Sequence, residues 1–391
     1  MPDHTDVLIV GAGPTGLALA IALRQAGIDH LIIDKLEGGQ NTSRAAVIHA
    51  HTLEAIEPLG VSEALMRRGL PITRFAIRDR DRTLLQLGFD ALPSAYRCLL
   101  MIPQDVTEAV LGDRLTALGG SVHRGHAALS VTQRPDAATA QIVSSRGSRA
   151  VTARYVVGAD GMHSIVRESA GIAFKGSTYE ESFVLADVKM DWPLGTGEVT
   201  QFFSPAGLVV VAPLPGGSFR VVATLDQAPE RPAKADIQQL IDTRGPAGPR
   251  TEVREVTWSS RFRLHHRVVD TYRNGRLLLM GDAAHVHSPA GGQGMNTGLV
   301  DSVVLGQSLV RILADGQPDA VLDAYGALRR QAAVEVLRLA GRLTGIATMR
   351  SGPQRMLRNG LLHVFGALPP ARQKLIMNLS GLSRKALAKA A

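Results

Sequence analysis

The 391-residue sequence contains one cysteine, few aromatic residues and no long apolar run. The single Cys98 excludes an internal disulfide and a thiolate metal cage, and it is typical of a reducing compartment, so we expect a cytoplasmic location. Aromatic residues, 4% of the chain, do not alternate with basic ones, which excludes a base-stacking nucleic-acid surface. Apolar stretches such as Leu208 to Ala212 are far shorter than the roughly 18 residues of a membrane span. No basic leader precedes the first strand, so no signal peptide is predicted.

Acidic residues are missing from the last part of the sequence. The net charge is +8, yet the stretch from Arg342 onward has nine Lys or Arg and no Asp or Glu, so residues 1–341 have a net charge of −1. The basic excess is therefore local, and no nucleic-acid partner is predicted. We interpret pairs such as Arg384-Lys385 as a solvated helical end, with contact to an anionic membrane surface or a partner as the alternative.

The rest of the composition is that of a globular protein, with 45% apolar and 20% charged residues in a length that suits two modest domains. At the start, Val7 to Val10 reads as a strand, a Gly-rich turn follows, and a helix is predicted from about Leu17 to Gln25. Leu31 to Ile33 returns as a second strand, so the segment is a βαβ unit and predicts a parallel sheet.

The first turn has the dinucleotide-binding pattern GxGxxG, with an acidic residue at the end of the next strand. Gly11 permits the tight turn, Gly13 allows a pyrophosphate to approach the backbone, and Gly16 allows the helix to pack closely. Asp34 is placed to accept hydrogen bonds from ribose hydroxyls. The fingerprint alone does not separate FAD from NAD. We assign cofactor binding to residues Gly11, Gly13, Pro14, Thr15, Gly16, Asp34 and Lys35.

Two further strands end in motifs that carry a family resemblance. One is Gly158-Ala159-Asp160-Gly161, and the other is Gly281-Asp282-Ala283-Ala284-His285, which leads to the run from Pro289 to Asn296. With the first turn, these motifs resemble those of the single-component FAD-dependent aromatic hydroxylases, a family that includes phenol, hydroxybenzoate and polyketide hydroxylases. The resemblance extends from residue 6 to about residue 315.

The resemblance implies an α/β fold in three parts. An FAD-binding, Rossmann-like three-layer domain is expected in residues 1–73, 98–174 and 270–330. An inserted substrate-binding domain with an antiparallel sheet is expected in residues 74–97 and 175–269, where short β-rich runs alternate with turns. A C-terminal helical region is expected in residues 331–391.

The resemblance also implies roles for individual residues around FAD. Arg44 corresponds to the arginine that contacts the pyrophosphate, and Gln104 and Asp282 to side chains that bind the ribityl chain. Asp160 is assigned to FAD and nicotinamide contacts, although bracing its own turn is an alternative. The loop at the pyrimidine end of the flavin comprises Gly291, Gly292, Gly294, Met295 and Asn296. As the start of a helix, this loop would offer amide donors and a positive dipole end.

The candidates for chemistry are fewer. Pro289 corresponds to the proline beside the flavin ring, and His49 is a candidate base for deprotonating a phenol. The family often has arginine at the position of His51, so any guanidinium contact there is in doubt. His285 fits the motif as a residue that orients the loop. Adjacent His265 and His266 lack metal-ligand spacing, so no metal site is predicted.

The substrate is expected between the antiparallel sheet and the flavin. Period-two alternation puts Gln201 and Phe203 on one face of their strand and Val209 and Val211 on one face of theirs, and Pro289 would line the same cavity. The alternative is that these residues are only sheet core. Neither strand carries the Arg or Tyr that a hydroxybenzoate would need, which favours a bulky or apolar substrate.

The predicted function is therefore that of a flavoprotein monooxygenase. It would use FAD, NADPH or NADH, and O2 to hydroxylate a phenolic or polycyclic aromatic substrate through a flavin C4a-hydroperoxide. The nicotinamide cofactor would dock transiently, because the chain has no second GxGxxG. Two alternatives stay open: a flavin-dependent epoxidase, N-hydroxylase or reductase of the same fold, and a non-catalytic flavin-binding module. The oligomeric state is open, with a homodimer possible.

Overall fold

The computed structural model describes residues 1–39, 45–225, 228–248, 250–288, 291–347, 349 and 351–388. The strands are β1 (His4–Val10), β2 (His30–Asp34), β3 (Val47–His49), β4 (Leu70–Ile72), β5 (Arg74–Asp79), β6 (Arg82–Gly88), β7 (Leu99–Met101), β8 (His123–Arg124), β9 (Ala127–Gln133), β10 (Ala138–Ser144), β11 (Gly147–Gly158), β12 (Phe174–Asp191), β13 (Glu198–Ser204), β14 (Gly207–Pro213), β15 (Phe219–Leu225), β16 (Glu252–Val269), β17 (Arg273–Asn274), β18 (Leu277–Leu279) and β19 (His285–Val286). The α-helices are α1 (Pro14–Gln25), α2 (Ala50–Ile56), α3 (Ser62–Arg68), α4 (Gln104–Ala117), α5 (Ile165–Ser169), α6 (Lys234–Arg244), α7 (Gly294–Leu313), α8 (Ala320–Ala347), α9 (Gly352–Ala367) and α10 (Pro369–Leu379). Short 3₁₀ segments occur at Glu57–Leu59, Pro215–Gly217, Gly281–Ala283 and Leu382–Ala388.

A mainly parallel sheet forms the core of the first domain. Its order is β17-β18-β11-β1-β2-β8, and β9 and β10 extend it from the antiparallel end of β11. β1 pairs in parallel with both β2 and β11, as the βαβ pattern predicts. Val7, Leu8 and Ile9 are completely buried in the apolar core that the sheet forms with residues of helices α1, α4 and α7.

Helix α1 begins three residues before the predicted Leu17. Pro14 is its first residue, where a fixed φ suits the helix and a missing N–H removes no intrahelical bond. Helices α1, α4 and α7 pack together beside the parallel sheet. Gly306 of α7 makes this close approach possible, since a Cβ there would lie 2.8 Å from the Cβ of Ala22.

A second, mainly antiparallel sheet has the order β19-β16-β12-β15-β14-β13-β5-β6. The long strands β12 and β16 pair along most of their length, from the Phe174–Val269 pair to the Asp191–Glu252 pair, and so carry the chain away from the first sheet and back. One pairing, between β13 and β5, is parallel. The predicted α/β class with an inserted antiparallel sheet is confirmed.

The predicted division into three sequence parts stays a prediction, and one element crosses it. β19 belongs to the 270–330 segment expected in the first domain, but it pairs with Arg267 and Val268 of β16 in the second sheet. Among the described residues, the short sheet β3-β7-β4 is not hydrogen-bonded to either large sheet.

The C-terminal region is helical, as expected, but its end is not simply solvated. Arg384 is only 9% exposed, because the 3₁₀ segment Leu382–Ala388 packs against α2 and α8. Lys385 stays at the surface and pairs with Glu54 at 2.8 Å. The interpretation of Arg384 as a solvated residue is therefore wrong.

We expect Ile237→Ala to destabilise the second sheet. Ile237 of α6 is completely buried in one apolar cluster with Val209, Val211 and Val221. Truncation leaves a cavity and costs about 2–5 kcal/mol of unfolding free energy. Urea denaturation followed by circular dichroism measures the loss. The matched control is Gln239→Ala, two residues away on the exposed face of α6, and equal losses in the two variants would contradict this assignment of the core.

Candidate functional site

Three strand-end turns meet at one edge of the parallel sheet. The Ala159 amide donates to the Val10 carbonyl at 2.8 Å, and the Met280 amide donates to the Gly158 carbonyl at 3.1 Å. Gly11 lies against the second turn with φ +104°, and a Cβ on it would be 2.4 Å from the Ala159 oxygen. The turns that the sequence patterns single out are thus brought together by backbone contacts.

The N-termini of α1 and α7 also converge on the third turn. A Cβ on Gly298 would lie 2.6 Å from Oγ1 of Thr15 and 3.2 Å from Cα of Gly281. A Cβ on Gly16 would lie 1.9 Å from the Gly11 oxygen, which only glycine avoids. Two positive helix-dipole ends therefore meet beside the same sheet edge.

The start of α1 is open to a ligand. Its N-cap is Gly13, which has no side-chain cap, and a Cβ built there would meet nothing within 4 Å. Uncapped amides with space in front of them are the features that a diphosphate needs. The residues therefore fit the pyrophosphate of a dinucleotide such as FAD.

Asp34 lies at the end of β2 and braces this turn. Its carboxylate accepts hydrogen bonds from the amides of Ala12 at 2.7 Å and Leu36 at 2.8 Å. Each carboxylate oxygen accepts one of these two hydrogen bonds, so both oxygens can still accept hydrogen bonds from ribose hydroxyls. The neighbouring Lys35 is exposed.

Asp160 braces its own turn, which is the alternative that the sequence left open. Its Oδ2 accepts from the Ile165 amide at 2.8 Å, at the start of α5. Its Oδ1 is buried and has no hydrogen-bond partner among the residues that the structure describes. Burial raises the pKa of Asp160. An orphaned buried acceptor of this kind fits a ligand donor.

Arg167 ties the second turn to the third. Its guanidinium donates to the carbonyls of Ala283 at 3.1 Å and Met162 at 2.9 Å, and it lies 4.2 Å above the Phe174 ring. Asp282, in the third turn, is exposed. Its side chain is therefore accessible to a polyol, as its predicted ribityl contact requires.

Gln104 lies at the start of α4, beside the segment that precedes β3. Its Oε1 accepts from the Ala45 amide at 3.4 Å, and its Nε2 donates to Glu108 at 2.9 Å. Arg220, on the second sheet, donates to the Ala45 carbonyl at 3.0 Å while forming a bidentate ion pair with Asp187. Arg44 itself lies outside the described residues, as does Pro289.

The predicted flavin loop is held against β3. The His49 amide donates to Oδ1 of Asn296 at 2.8 Å, and Nδ2 of Asn296 donates to the carbonyls of Val47 and Gly292. Gly292 has φ +62°, and a Cβ on it would lie 2.2 Å from Cγ1 of Val47. Gly294 and Met295 form the first turn of α7, whose N-cap Gln293 makes no side-chain cap.

Gln293 and Arg384 support this loop from behind. Nε2 of Gln293 donates to the carbonyls of Gly291 and Leu379, and its Oε1 accepts from Arg384 at 2.7 Å. Burial lowers the pKa of Arg384 to about 10, so the guanidinium stays charged at neutral pH. The predicted loop therefore depends on a residue that lies 93 positions after Gly291.

His49 is placed to hold the loop. Its Nε2 lies 3.1 Å from the Gly292 carbonyl, so this bond requires the proton on Nε2. Burial lowers the pKa of His49 to about 4. A neutral ring whose proton is already donated to the backbone favours a positioning role, and the base role stays a prediction.

A buried ion-pair network, which the sequence reasoning missed, lies behind the third turn. The Asp301 carboxylate accepts from the Gly281 amide at 3.0 Å, from Nε2 of His285 at 2.7 Å and from Nε of Arg329 at 2.6 Å. Burial alone would raise the pKa of Asp301, but Arg329 and His285 together lower it. His285 is part of this network, and its role in orienting the loop stays a prediction. The available signal was an acidic residue, Asp301, inside the mainly apolar stretch 299–305 of a predicted helix.

A small polar cavity of about 20 Å³ separates His49 from α8. It is large enough for an ordered water. The Nδ1 atoms of His49 and His51 are buried and lack partners among the described residues. Arginine is often found at the position of His51 in the resembling family, and here two arginines line the same cavity from elsewhere in the chain. The lining residues are His49, His51, Thr52, Gln293, Asn296, Thr297, Val300, Arg329, Ala332, Val336, Gly381 and Arg384.

The two predicted substrate strands, β13 and β14, pair with each other, but the residues predicted on them lie on opposite faces of the sheet. Gln201 lies opposite Val210, so Val210 shares the face of Gln201 and Phe203. Val209 and Val211 are at most 1% exposed and pack toward α6 on the other face. Their predicted substrate-lining role is therefore wrong, because the hairpin register sets the phase between the strands.

The face of the second sheet that carries Gln201 is partly exposed at its centre. Gln201, Val210 and Val222 form a half-buried row across β13, β14 and β15. The surrounding apolar side chains come from this sheet, from β3 and from α8 and α10. Arg358 of α9 lies 4.5 Å above the Phe203 ring, so a guanidinium is present on this face although neither strand carries one.

The described residues contain neither a metal-binding group nor a membrane-spanning helix. No group of three or more His, Cys, Asp or Glu there could hold a metal ion. Nor is any described helix both long and apolar enough to cross a membrane.

Comparison with known proteins agrees with this geometry. Residues 4–340 match a family model described as an FAD binding domain. The chain is 33% identical to 6-methylpretetramide 4-monooxygenase of Streptomyces rimosus, over 98% of this chain and 71% of that protein. The structure of the anhydrotetracycline hydroxylase OxyS of Streptomyces rimosus is 31% identical, with a TM-score of 0.82 over 97% of this chain and 76% of that one. The structure of p-nitrophenol 4-monooxygenase of Pseudomonas putida has a TM-score of 0.89 over 98% of this chain and 99% of that one. Its sequence is 24% identical, so this likeness concerns the fold.

We expect stability to fall as the pH drops below about 6.5. Burial lowers the pKa of both His49 and His51 to about 4, whereas unfolded histidine titrates near 6.5. The unfolded state therefore binds more protons between these values, at a cost of up to about 1.4 kcal/mol per pH unit for each residue. Urea denaturation at several pH values measures the slope, which His51→Gln should reduce. The exposed His363→Gln is the control, and an unchanged slope in His51→Gln would contradict this account.

Proposed function

We propose a function that follows from the family: this chain belongs to the single-component FAD-dependent aromatic hydroxylases. It would use FAD, NADPH or NADH, and O2 to hydroxylate a phenolic or polycyclic aromatic substrate. It is an FAD-dependent monooxygenase of the aromatic-hydroxylase type. The observation that carries the proposal is the convergence of three strand-end turns and two helix N-termini on one open sheet edge.

FAD would supply the redox chemistry, accepting hydride from the nicotinamide and activating O2 at C4a. The chain would supply the binding groups. We propose that the amides after Gly13 bind the pyrophosphate and that Asp34 binds the adenosine ribose. Arg44, Gln104, Asp160 and Asp282 are proposed as further contacts. The amides of the loop from Gly291 to Asn296 would stabilise negative charge at the pyrimidine end of the reduced flavin.

The proposed substrate position is the half-buried row of Gln201, Val210 and Val222. An apolar enclosure would exclude water from the reacting atoms. Arg358 is proposed as a charged group on this face for a phenolate or carbonyl oxygen, beside Arg220, which pairs with Asp187. Relatives named for 6-methylpretetramide and anhydrotetracycline support a polycyclic substrate. Pro289 stays a proposal for the same cavity.

We also propose how the nicotinamide cofactor binds and where the protein is located. The nicotinamide cofactor would dock transiently, since the sequence has one GxGxxG and that site is assigned to FAD. A cytoplasmic location is supported by Cys98, a buried free thiol whose pKa burial raises to about 11.

The first test measures NADPH and NADH oxidation by the FAD-loaded protein, with and without a panel of phenols and polycyclic aromatics. We expect at least one ligand to accelerate oxidation and to gain the mass of one oxygen atom. Products that gain only hydrogen would instead identify a reductase. FAD binding without oxidation of either nicotinamide would support a non-catalytic module.

A matched pair of glycine variants tests the pyrophosphate site. Gly13→Ala should leave the melting temperature of the FAD-free protein unchanged, because its methyl group enters open space. It should raise the Kd for FAD by about tenfold or more, the equivalent of one lost charge-assisted contact. Gly16→Ala should lower that melting temperature, since its methyl group would overlap the Gly11 carbonyl. Isothermal titration calorimetry and differential scanning fluorimetry distinguish these results, and unchanged FAD affinity in Gly13→Ala would exclude the site.

A further inference from the structure

Helix α9 has two contrasting faces. Its inner face packs on the second sheet, where Arg358 is buried over Phe203 and Gly366 approaches Leu85. This inner face fixes the helix to the domain, so the opposite face has a defined orientation toward solvent.

The outer face of α9 is apolar and uncovered by any described residue. Leu357, Leu361, Val364 and Leu368 follow a spacing of four, three and four residues, which places them in one stripe. Among the exposed positions from 356 to 368, His363 is the polar exception. The exposed fractions are Met356 78%, Leu357 65%, Leu361 48%, Val364 54%, Phe365 51% and Leu368 48%. A continuous patch of this kind marks an interaction surface.

The exposed charges next to the end of this stripe are basic. Arg372 and Lys374 are exposed just beyond the helix, and the Arg372 amide donates to the Leu368 carbonyl at 3.1 Å, next to the end of the stripe. Two copies of the chain that met through this face would bring like charges together. An anionic surface would instead be attracted by the basic residues and would bury the stripe.

We propose that the outer face of α9 docks the protein on an anionic lipid surface. The 16-residue helix lies parallel to that surface, with its leucines in the acyl boundary and its basic neighbours at the headgroups. This inference does not depend on the reaction, because it rests only on exposure, spacing and charge.

Co-sedimentation with lipid vesicles tests the proposal on the FAD-loaded protein. We expect binding to phosphatidylcholine vesicles that contain phosphatidylglycerol and at least about tenfold weaker binding to phosphatidylcholine alone. Leu357→Glu/Val364→Glu should weaken binding by about tenfold or more, because two charges replace buried apolar side chains. Arg372→Gln/Lys374→Gln should weaken binding to the anionic vesicles alone.

The control is Leu129→Glu, which places the same charge at a 55% exposed leucine on β9, away from α9. It should bind vesicles like the unmodified protein. Thermal melting verifies that all variants are folded. The proposal is overturned by failure to bind anionic vesicles, or by equal binding of Leu357→Glu/Val364→Glu. It is also overturned if light scattering shows a dimer that this double variant dissociates, because a second copy would then cover the face.

Discussion

The buried Asp301 carboxylate is the interaction that holds the third turn in place. It lies on α7, accepts from the backbone of the third turn, and pairs with His285 on β19 and Arg329 on α8. Arg329 in turn donates to the Leu387 carbonyl at 2.7 Å. The carboxylate therefore joins the third turn and β19 to α8, and Arg329 extends this link to the segment from residue 382 to residue 388. Removal of one partner would leave charge unpaired in the interior, which is far costlier than the loss of a surface ion pair.

Close backbone approach is the second constraint on the site. Gly11, Gly16, Gly292 and Gly298 lie where a methyl group would overlap a carbonyl or a neighbouring side chain. Gly13 differs, since the space beside it is empty in the protein itself. Glycine thus permits close packing at four positions and has free space beside it at a fifth, although all five are the same letter in the sequence.

The sequence predicted what depends on local spacing. The βαβ unit, the Asp34 position and the order of the three turns follow from patterns a few residues long, and the predicted family and α/β fold are confirmed. Three features depend on partners far along the chain: Arg329 with Asp301, Arg220 with Asp187, and Arg358 over Phe203. The error at Val209 and Val211 has a related cause. Alternation gives the two faces of each strand, but only the hairpin register shows which faces coincide.

The support of the flavin loop by Arg384 has a consequence for biosynthesis. During translation, the dinucleotide turn, the parallel strands and α7 all leave the ribosome before the segment from residue 382 to residue 388. Gln293 and Arg329 would meanwhile lack two of their partners, the Arg384 guanidinium and the Leu387 carbonyl. The nascent domain can form its core early, but the loop acquires its final support only after residues 382–388 have been made.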